Sequence, residues 1–310
     1  MSAATIPCPV RRWADATPDA PALRAPERTW TWTDLDRRVT EMEAALRARC
    51  APGSRLAVQA PNSPALVALV LAALRTGHVL ALLSTRWPEA GVQDQLARIG
   101  CEELLDLAEL RPPSSTAHRS LPIPLRRSAT IIFTSGSTGD PKAALHTVGN
   151  HLASARGMIE AVALKAGDRW LLDLPLYHVG GLAIAYRCAL AGATIVLPAP
   201  RTPTTEAVQR FEVTHASLVA TQLYRLLQAE ATPPAWLRVI LLGGSAIPSG
   251  LLNDAQARGW PVHTSYGLTE MASTVTMTPA AASRAALATS GRVLPHRELA
   301  IRDGEIVVRG

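Results

Sequence analysis

Apolar and polar positions along the chain switch between two periods. Residues 36–49 (DRRVTEMEAALRAR) place apolar side chains at helical spacing. Thr33 and Asp36 just before them have the Thr-x-x-Asp form of a helix-capping box. Pro52-Gly53 breaks the chain, and 55–59 (RLAVQ) reads as a short strand. A Pro-Asn-Ser-Pro turn at 61–64 leads into an apolar helix over 65–75, with Gly77 as its stop and a strand at 79–83. Strand and helix signals in alternation predict right-handed βαβ units and a mainly parallel sheet covered by helices. The fold class is α/β.

Residues 111–128 are rich in proline and serine and read as a linker. The pattern then restarts with a strand at 129–134, a polar glycine loop, and a helix around 150–164. Further strands are expected at 170–174, 193–197, 216–219 and 239–242, with Pro-rich joints at 198–203 and 233–234. No internal repeat interrupts this order.

Composition narrows the class. At 310 residues, 48% hydrophobic and 18% charged, the chain can bury a sizeable core, and with aromatics at 4% that core must be Ala, Leu and Val. No run approaches the ~18 apolar residues of a membrane span, and the N-terminus has no apolar leader, so a cytoplasmic protein without a membrane partner is expected. The net charge is +6, but the only lysines are Lys142 and Lys165, and the 29 arginines are scattered without a basic block. That pattern offers no nucleic-acid surface. Cys8, Cys50, Cys101 and Cys188 are isolated, without metal-ligand spacing, and are expected as free, mostly buried thiols.

The chemistry concentrates where the strand at 129–134 ends. Thr134-Ser135-Gly136-Ser137-Thr138-Gly139-Asp140-Pro141-Lys142 is a run of hydroxyls and glycines closed by a lysine. Such a loop can turn backbone N–H groups and hydroxyls onto phosphate oxygens, with Lys142 adding charge. It lacks the Gly-Lys-Ser/Thr of a Walker A loop. On composition alone, a solvated Ser/Gly loop is the plainer alternative.

This TSGSTGxPK segment resembles the nucleotide loop of the adenylate-forming acyl-CoA synthetases. Four more segments resemble that superfamily's motifs in the same order: LPLYHVGG at 174–181, LGGSAIP at 242–248, YGLTE at 266–270, and GEIVVRG at 304–310. Within the superfamily, AALHT at 143–147 with HLASA at 151–155, THASL at 214–218 with Thr221-Gln222-Leu223, and YGLTEMAST at 266–274 resemble the 2-succinylbenzoate–CoA ligase branch of menaquinone biosynthesis.

The resemblance implies the large N-terminal domain of the adenylate-forming enzymes: stacked mainly parallel sheets flanked by helices in an αβαβα order, then the start of a small β subdomain. The whole chain, 1–310, would be this AMP-binding domain, with subdomain joints near 111–128 and 280–295. It implies a ligase that uses ATP and Mg2+ to join a carboxylic acid to coenzyme A. The carboxylate attacks the α-phosphorus of ATP, and the coenzyme A thiol then displaces AMP. Neither step needs an enzyme nucleophile, so alignment and charge neutralisation carry the rate.

By family position, Thr134, Ser135, Gly136, Ser137, Thr138, Gly139 and Lys142 would hold the β,γ-phosphates. Thr269 would touch the α-phosphate, and Glu270 would hold Mg2+. Tyr266 and Gly267 would lie against adenine, with Gly243, Gly244 and Ser245 giving the ring room. His178 would separate the adenylation and thioester stages. Many relatives carry Ser where this chain has Gly180, which removes a hydroxyl from the acyl site. A dicarboxylate substrate needs a cation, for which Arg187 is the candidate, a surface ion pair being its alternative. Thr221, Gln222 and Ser273 are further acyl-pocket candidates.

Relatives continue past 304–310 to a ribose-binding Asp, a hinge and a small mobile domain carrying the adenylation Lys. The 310 residues are therefore expected to lack that domain, to bind nucleotide or adenylate, and to turn over poorly. A homo-oligomer is expected by resemblance. Two alternatives stay open: a non-catalytic adenylate-binding module, and an adenylation enzyme for another acid. An amino-acid-activating domain is disfavoured, because 215–224 (HASLVATQLY) lacks the acid that would pair the substrate amine.

Overall fold

Strand residues buried on both faces generate two sheets with three layers of helix around them. The computed structural model describes residues 4–101, 103–111, 121–134, 141–229 and 231–310. In the smaller sheet the order is Arg55–Val58, Val79–Leu82, Ser128–Thr134, Lys142–Thr147. The first three strands are parallel and the fourth returns antiparallel. The larger sheet has nine strands: Arg292–Val293, Ser273–Met277, Val262–Leu268, Val239–Leu242, His215–Leu218, Arg169–Leu171, Thr194–Val196, Pro21–Arg24 and Thr29–Thr31. Its six central strands, from Val262–Leu268 to Pro21–Arg24, are parallel.

Alternation along each strand assigns its side chains to different cores. Leu56, Val58, Leu80, Leu82 and Ile132 of the small sheet share a central core with Trp170, Ile195 and Leu241 of the large one. Between them lie the helices Trp32–Arg49, Pro64–Thr76, Val148–Val162 and Val179–Ala191. Ala57, Ala81, Ile131 and Phe133 face outward onto the helix Glu89–Ile99. Leu171, Val196, Ala216 and Ile240 face the helices Thr204–Arg210, Ala220–Gln228 and Ser249–Ala257. The result is the expected αβαβα stack. Every residue from Leu66 to Thr76 is buried, as an all-apolar helix between two sheets must be. Among the described residues no helix is long and apolar enough to cross a membrane. All four cysteines are free and buried.

The structure corrects one local expectation and adds detail at two more segments. The capping box belongs to Thr31 and Asp34, which exchange backbone and side-chain hydrogen bonds at 3.1 and 3.2 Å. Trp32 therefore starts the helix, and Asp36 lies one turn inside it as the buried partner of Arg75. Residues 142–147, of which only Lys142 is read as loop, form a strand antiparallel to Ser128–Thr134. The strand expected at 304–310 is present as Glu305–Arg309, paired with Glu298–Arg302 through a turn with φ of 51° at Asp303 and 82° at Gly304, the Asp-Gly chemistry of a two-residue hairpin. Of the linker, 112–120 lie outside the described residues.

Five histidines, His78, His146, His151, His215 and His263, are at most 3% exposed. Burial lowers the pKa of each, because the interior disfavours the imidazolium. Their folded-state values lie below the unfolded one. The stability of the neutral, buried form is thus fully present above the unfolded pKa of about 6.5 and is lost as pH falls below it. The expected result is a Tm lower by about 5 °C or more at pH 5 than at pH 7.5, measured by circular dichroism. A Tm unchanged across that range would contradict it.

Candidate active site

Thr134 and Lys142 are direct cross-strand partners at the end of the small-sheet hairpin. Lys142, exposed, begins the returning strand. Ser135, Gly136, Ser137, Thr138 and Gly139 lie outside the described residues.

The YGLTE segment reaches this hairpin from the large sheet. Tyr266 and Gly267 end the strand Val262–Leu268, with a bulge between them, and Thr269, Glu270 and Met271 form a single 3-10 turn. A Cβ on Gly267 would lie 2.5 Å from the Ser273 carbonyl oxygen, so only glycine lets the next strand fold back here. The Thr269 carbonyl accepts a hydrogen bond from His146 Nε2 on the hairpin at 2.6 Å. Glu270 is exposed and Tyr266 half-buried. Ser273 is buried behind the turn, its hydroxyl 3.4 Å from that of Thr274.

Gly243 and Gly244 follow the parallel strand Val239–Leu242, at the carboxyl end of the sheet where α/β folds bind ligands. Gly244 has φ of 86°, and a Cβ on Gly243 would sit 3.0 Å from Ser265 Oγ. Ser245 is exposed beside them. The next strand, His215–Leu218, leads into a helix whose Gln222 is held twice. Its Oε1 accepts from the Val219 N–H at 3.0 Å, and its Nε2 donates to Asp173 at 2.7 Å. Burial raises the Asp173 pKa, opposed by the Gln222 bond. Thr221 faces outward and lines a groove of about 470 Å³ with Tyr224, Leu227 and Leu251.

His178 caps the helix Val179–Ala191, its ring 4.7 Å from that of Tyr177. Partial burial and the Arg86 guanidinium both lower its pKa, favouring a neutral ring. Asn62 holds the segment before it, donating to the Leu174 carbonyl and accepting from the Leu176 N–H, both at 2.9 Å.

Nine residues on, Arg187 is 1% exposed. Its Nε donates to the Ala183 carbonyl at 3.1 Å, and its guanidinium lies 4.4 Å from the centroid of Trp170. Nη1 has no hydrogen-bond partner, and no carboxylate pairs with the group among the described residues. Burial pushes its pKa down to about 10, so it remains charged at neutral pH. A buried cation without a counter-ion is costly.

Sequence reasoning missed Asn62, Asp173 and Arg297, whose roles are contacts far along the chain, and it saw His146 and Ser154 only within quoted motifs. No periodicity marks them. Among the described residues no cluster of three His, Cys, Asp or Glu could hold a metal.

An α/β stack with a hydroxyl-and-glycine hairpin, an acidic turn and a glycine pair at the sheet's carboxyl edge defines a nucleotide-binding enzyme class. The chain belongs to the AMP-binding enzyme family, whose profile matches residues 10–310. Its relatives include the 2-succinylbenzoate–CoA ligases of Salmonella typhimurium (35% identical, over 97% of this chain and 66% of the relative) and Escherichia coli K12 (34%, over 97% and 67%). The chain thus spans about two thirds of the length of these curated relatives. Among solved structures, the o-succinylbenzoate coenzyme A synthetase (MenE) of Bacillus subtilis in complex with ATP and magnesium ion is similar, with a TM-score of 0.93 and 29% identity over 99% of this chain and 71% of that one. Its complex with the acyl-adenylate intermediate OSB-AMP gives 0.90 and 29%, over 99% and 89%.

Proposed function

We propose that this chain serves the ATP-dependent activation of 2-succinylbenzoate to its acyl-adenylate and then to its coenzyme A thioester. The observation that carries the reading is the meeting of two motifs: the Thr269–Glu270 turn is bonded to the strand that begins at Lys142, the last residue of the Thr134–Lys142 motif. The relatives' names and the B. subtilis complexes support the substrate and nucleotide.

In this reading Thr134, Lys142 and the loop between them hold the β,γ-phosphates. Tyr266, Gly267, Gly243, Gly244 and Ser245 border the adenine, and Thr269 contacts the α-phosphate. Mg2+ fits the site, since it binds through one or two carboxylates and substrate phosphates rather than in an all-protein cage. Glu270 would hold it, and the bound ion would neutralise phosphate charge. The acid's reacting carboxylate oxygen attacks the α-phosphorus and pyrophosphate leaves. The coenzyme A thiolate then attacks the acyl carbon and AMP leaves. His178 stands at the mouth of the acyl site, with Gln222 and Ser273 in its wall and Thr221 on the outer face of the same helix as Gln222. Arg187 supplies the cation for the second carboxylate, which accounts for a guanidinium buried without a carboxylate partner among the described residues.

The test is calorimetric titration of the chain with two non-hydrolysable acyl-sulfamoyl adenosines, 2-succinylbenzoyl and benzoyl. The dicarboxylate analogue is expected to bind about 10–100-fold more tightly, the value of one charge-assisted contact. Equal affinity would remove 2-succinylbenzoate as substrate, and no affinity for either would remove the nucleotide reading.

A further inference from the structure

The turn that carries Thr269 and Glu270 is held in an unusual backbone. Ala272 has φ of 52° and Ser273 of 114°, both in the region that favours glycine. Side chains from a helix, a strand and a loop grip its carbonyls. Ser154 Oγ donates to Ala272 O and Arg297 Nη2 to Met271 O, each at 2.8 Å, and His146 Nε2 to Thr269 O at 2.6 Å. Of the three, only His146 comes from the phosphate hairpin, four residues after Lys142. It joins two motifs that are 123 residues apart in sequence.

His146 is itself oriented by a buried relay. Thr130, its cross-strand partner, lies with Oγ 3.5 Å from His146 Nδ1 and 2.7 Å from His151 Nε2. One donor sense satisfies the whole chain: His151 Nε2–H to Thr130 Oγ, Thr130 Oγ–H to His146 Nδ1, and His146 Nε2–H to the Thr269 carbonyl. It requires His146 neutral, since its Nδ1 accepts while its Nε2 donates, and burial favours the neutral form of both rings. The His151 ring stacks on Tyr186 at 4.3 Å, in the helix that carries Arg187. Glu270, close enough for its charge to act on His146, is the other ionisable group facing the ring.

We infer that His146 is a positioning residue that locks the Thr269–Glu270 turn to the phosphate hairpin, so that the Glu270 carboxylate meets a divalent cation on phosphates held by that hairpin. The inference rests on the proposed role of Glu270. A hydrogen bond of 2.6 Å from an oriented, buried imidazole fixes the peptide next to Glu270, whereas the exposed carboxylate has no such restraint of its own.

The experiment is calorimetric titration of ATP into the whole chain, with and without MgCl2, for the wild type, His146→Ala, His146→Gln and Thr130→Val. The wild type is expected to bind ATP more tightly with Mg2+. His146→Ala should lose about tenfold of that Mg2+-dependent gain, the worth of one good hydrogen bond, while its Mg2+-free affinity stays within about twofold. His146→Gln, which keeps an N–H donor, should recover most of the gain, and Thr130→Val should fall between. An undiminished gain in a folded His146→Ala protein overturns the inference, as does an equal loss with and without Mg2+, which a merely structural role would give. If His146→Ala does not fold, Thr130→Val decides, and a full gain there overturns the inference. A wild type that binds ATP without any Mg2+ gain overturns the Glu270 role, and one that binds no ATP overturns the proposed function itself.

Discussion

Replacing Arg187 by methionine is expected to leave the free chain as stable or more stable, while weakening binding of the 2-succinylbenzoyl adenylate analogue by about 100-fold. The two effects share one cause. In the free chain the guanidinium has left water for a site that gives it one backbone carbonyl and the face of Trp170, with no carboxylate among the described residues. Burial of such a group is costly, and it pushes the Arg187 pKa down to about 10. Methionine fills similar volume without the charge, so the fold should gain on the order of 1–3 kcal/mol. A ligand carboxylate would supply the missing counter-charge, and methionine cannot meet it. Lysine should fall between, because it keeps the charge but loses the planar fork. Thermal melts of the free chain and calorimetry with the two analogues measure both effects. A lower Tm together with unchanged preference for the dicarboxylate would make Arg187 a structural residue.

Gly181→Ala should be the most disruptive single-methyl change at the site, and Gly180→Ser a mild one, although the two glycines are neighbours. A Cβ at Gly181 would fall 2.2 Å from the Pro175 carbonyl oxygen and 2.5 Å from that of Leu174. Those atoms belong to backbone that Asn62 holds from both sides. The helix Val179–Ala191 cannot approach that backbone so closely if residue 181 carries a side chain. The expected cost is about 3 kcal/mol, with His178 displaced and adenylate-analogue affinity reduced at least tenfold in whatever protein folds. At Gly180 the nearest atom is the end of a flexible side chain, Leu174 Cδ1, at 3.2 Å. Serine there should cost under about 1 kcal/mol. Chemical denaturation of both variants is the measurement, and equal losses would refute the distinction.

Much of the architecture was legible in the chain because burial leaves a periodic trace. The strands at 55–58, 79–82 and 239–242 and the helix ended by Gly77 emerged within a residue or two. A strand covered on both faces, or a helix between two sheets, must be apolar at almost every position. The strand at 142–147 left no such trace, since it is a partly exposed edge with only His146 buried within it. The box at Thr31 was displaced to Thr33 because two Thr-x-x-Asp patterns overlap there. Only the burial of Asp36 against Arg75 decides between them.

The sequence by itself determined the α/β class, the order of the motifs and the residue types that phosphate and cation chemistry require. These are local properties: a loop's donors and a turn's carboxylate are written in a few adjacent residues. Tertiary structure decided which of those residues meet. It bonded the Thr269 carbonyl to His146 across 123 residues, seated Gly181 against a carbonyl, and enclosed Arg187 with no carboxylate beside it among the described residues. Each depends on distance or burial between segments remote in sequence. An arginine that pairs at the surface and one stranded in the core are spelled alike, and only the packing around them gives the second its need for an anion.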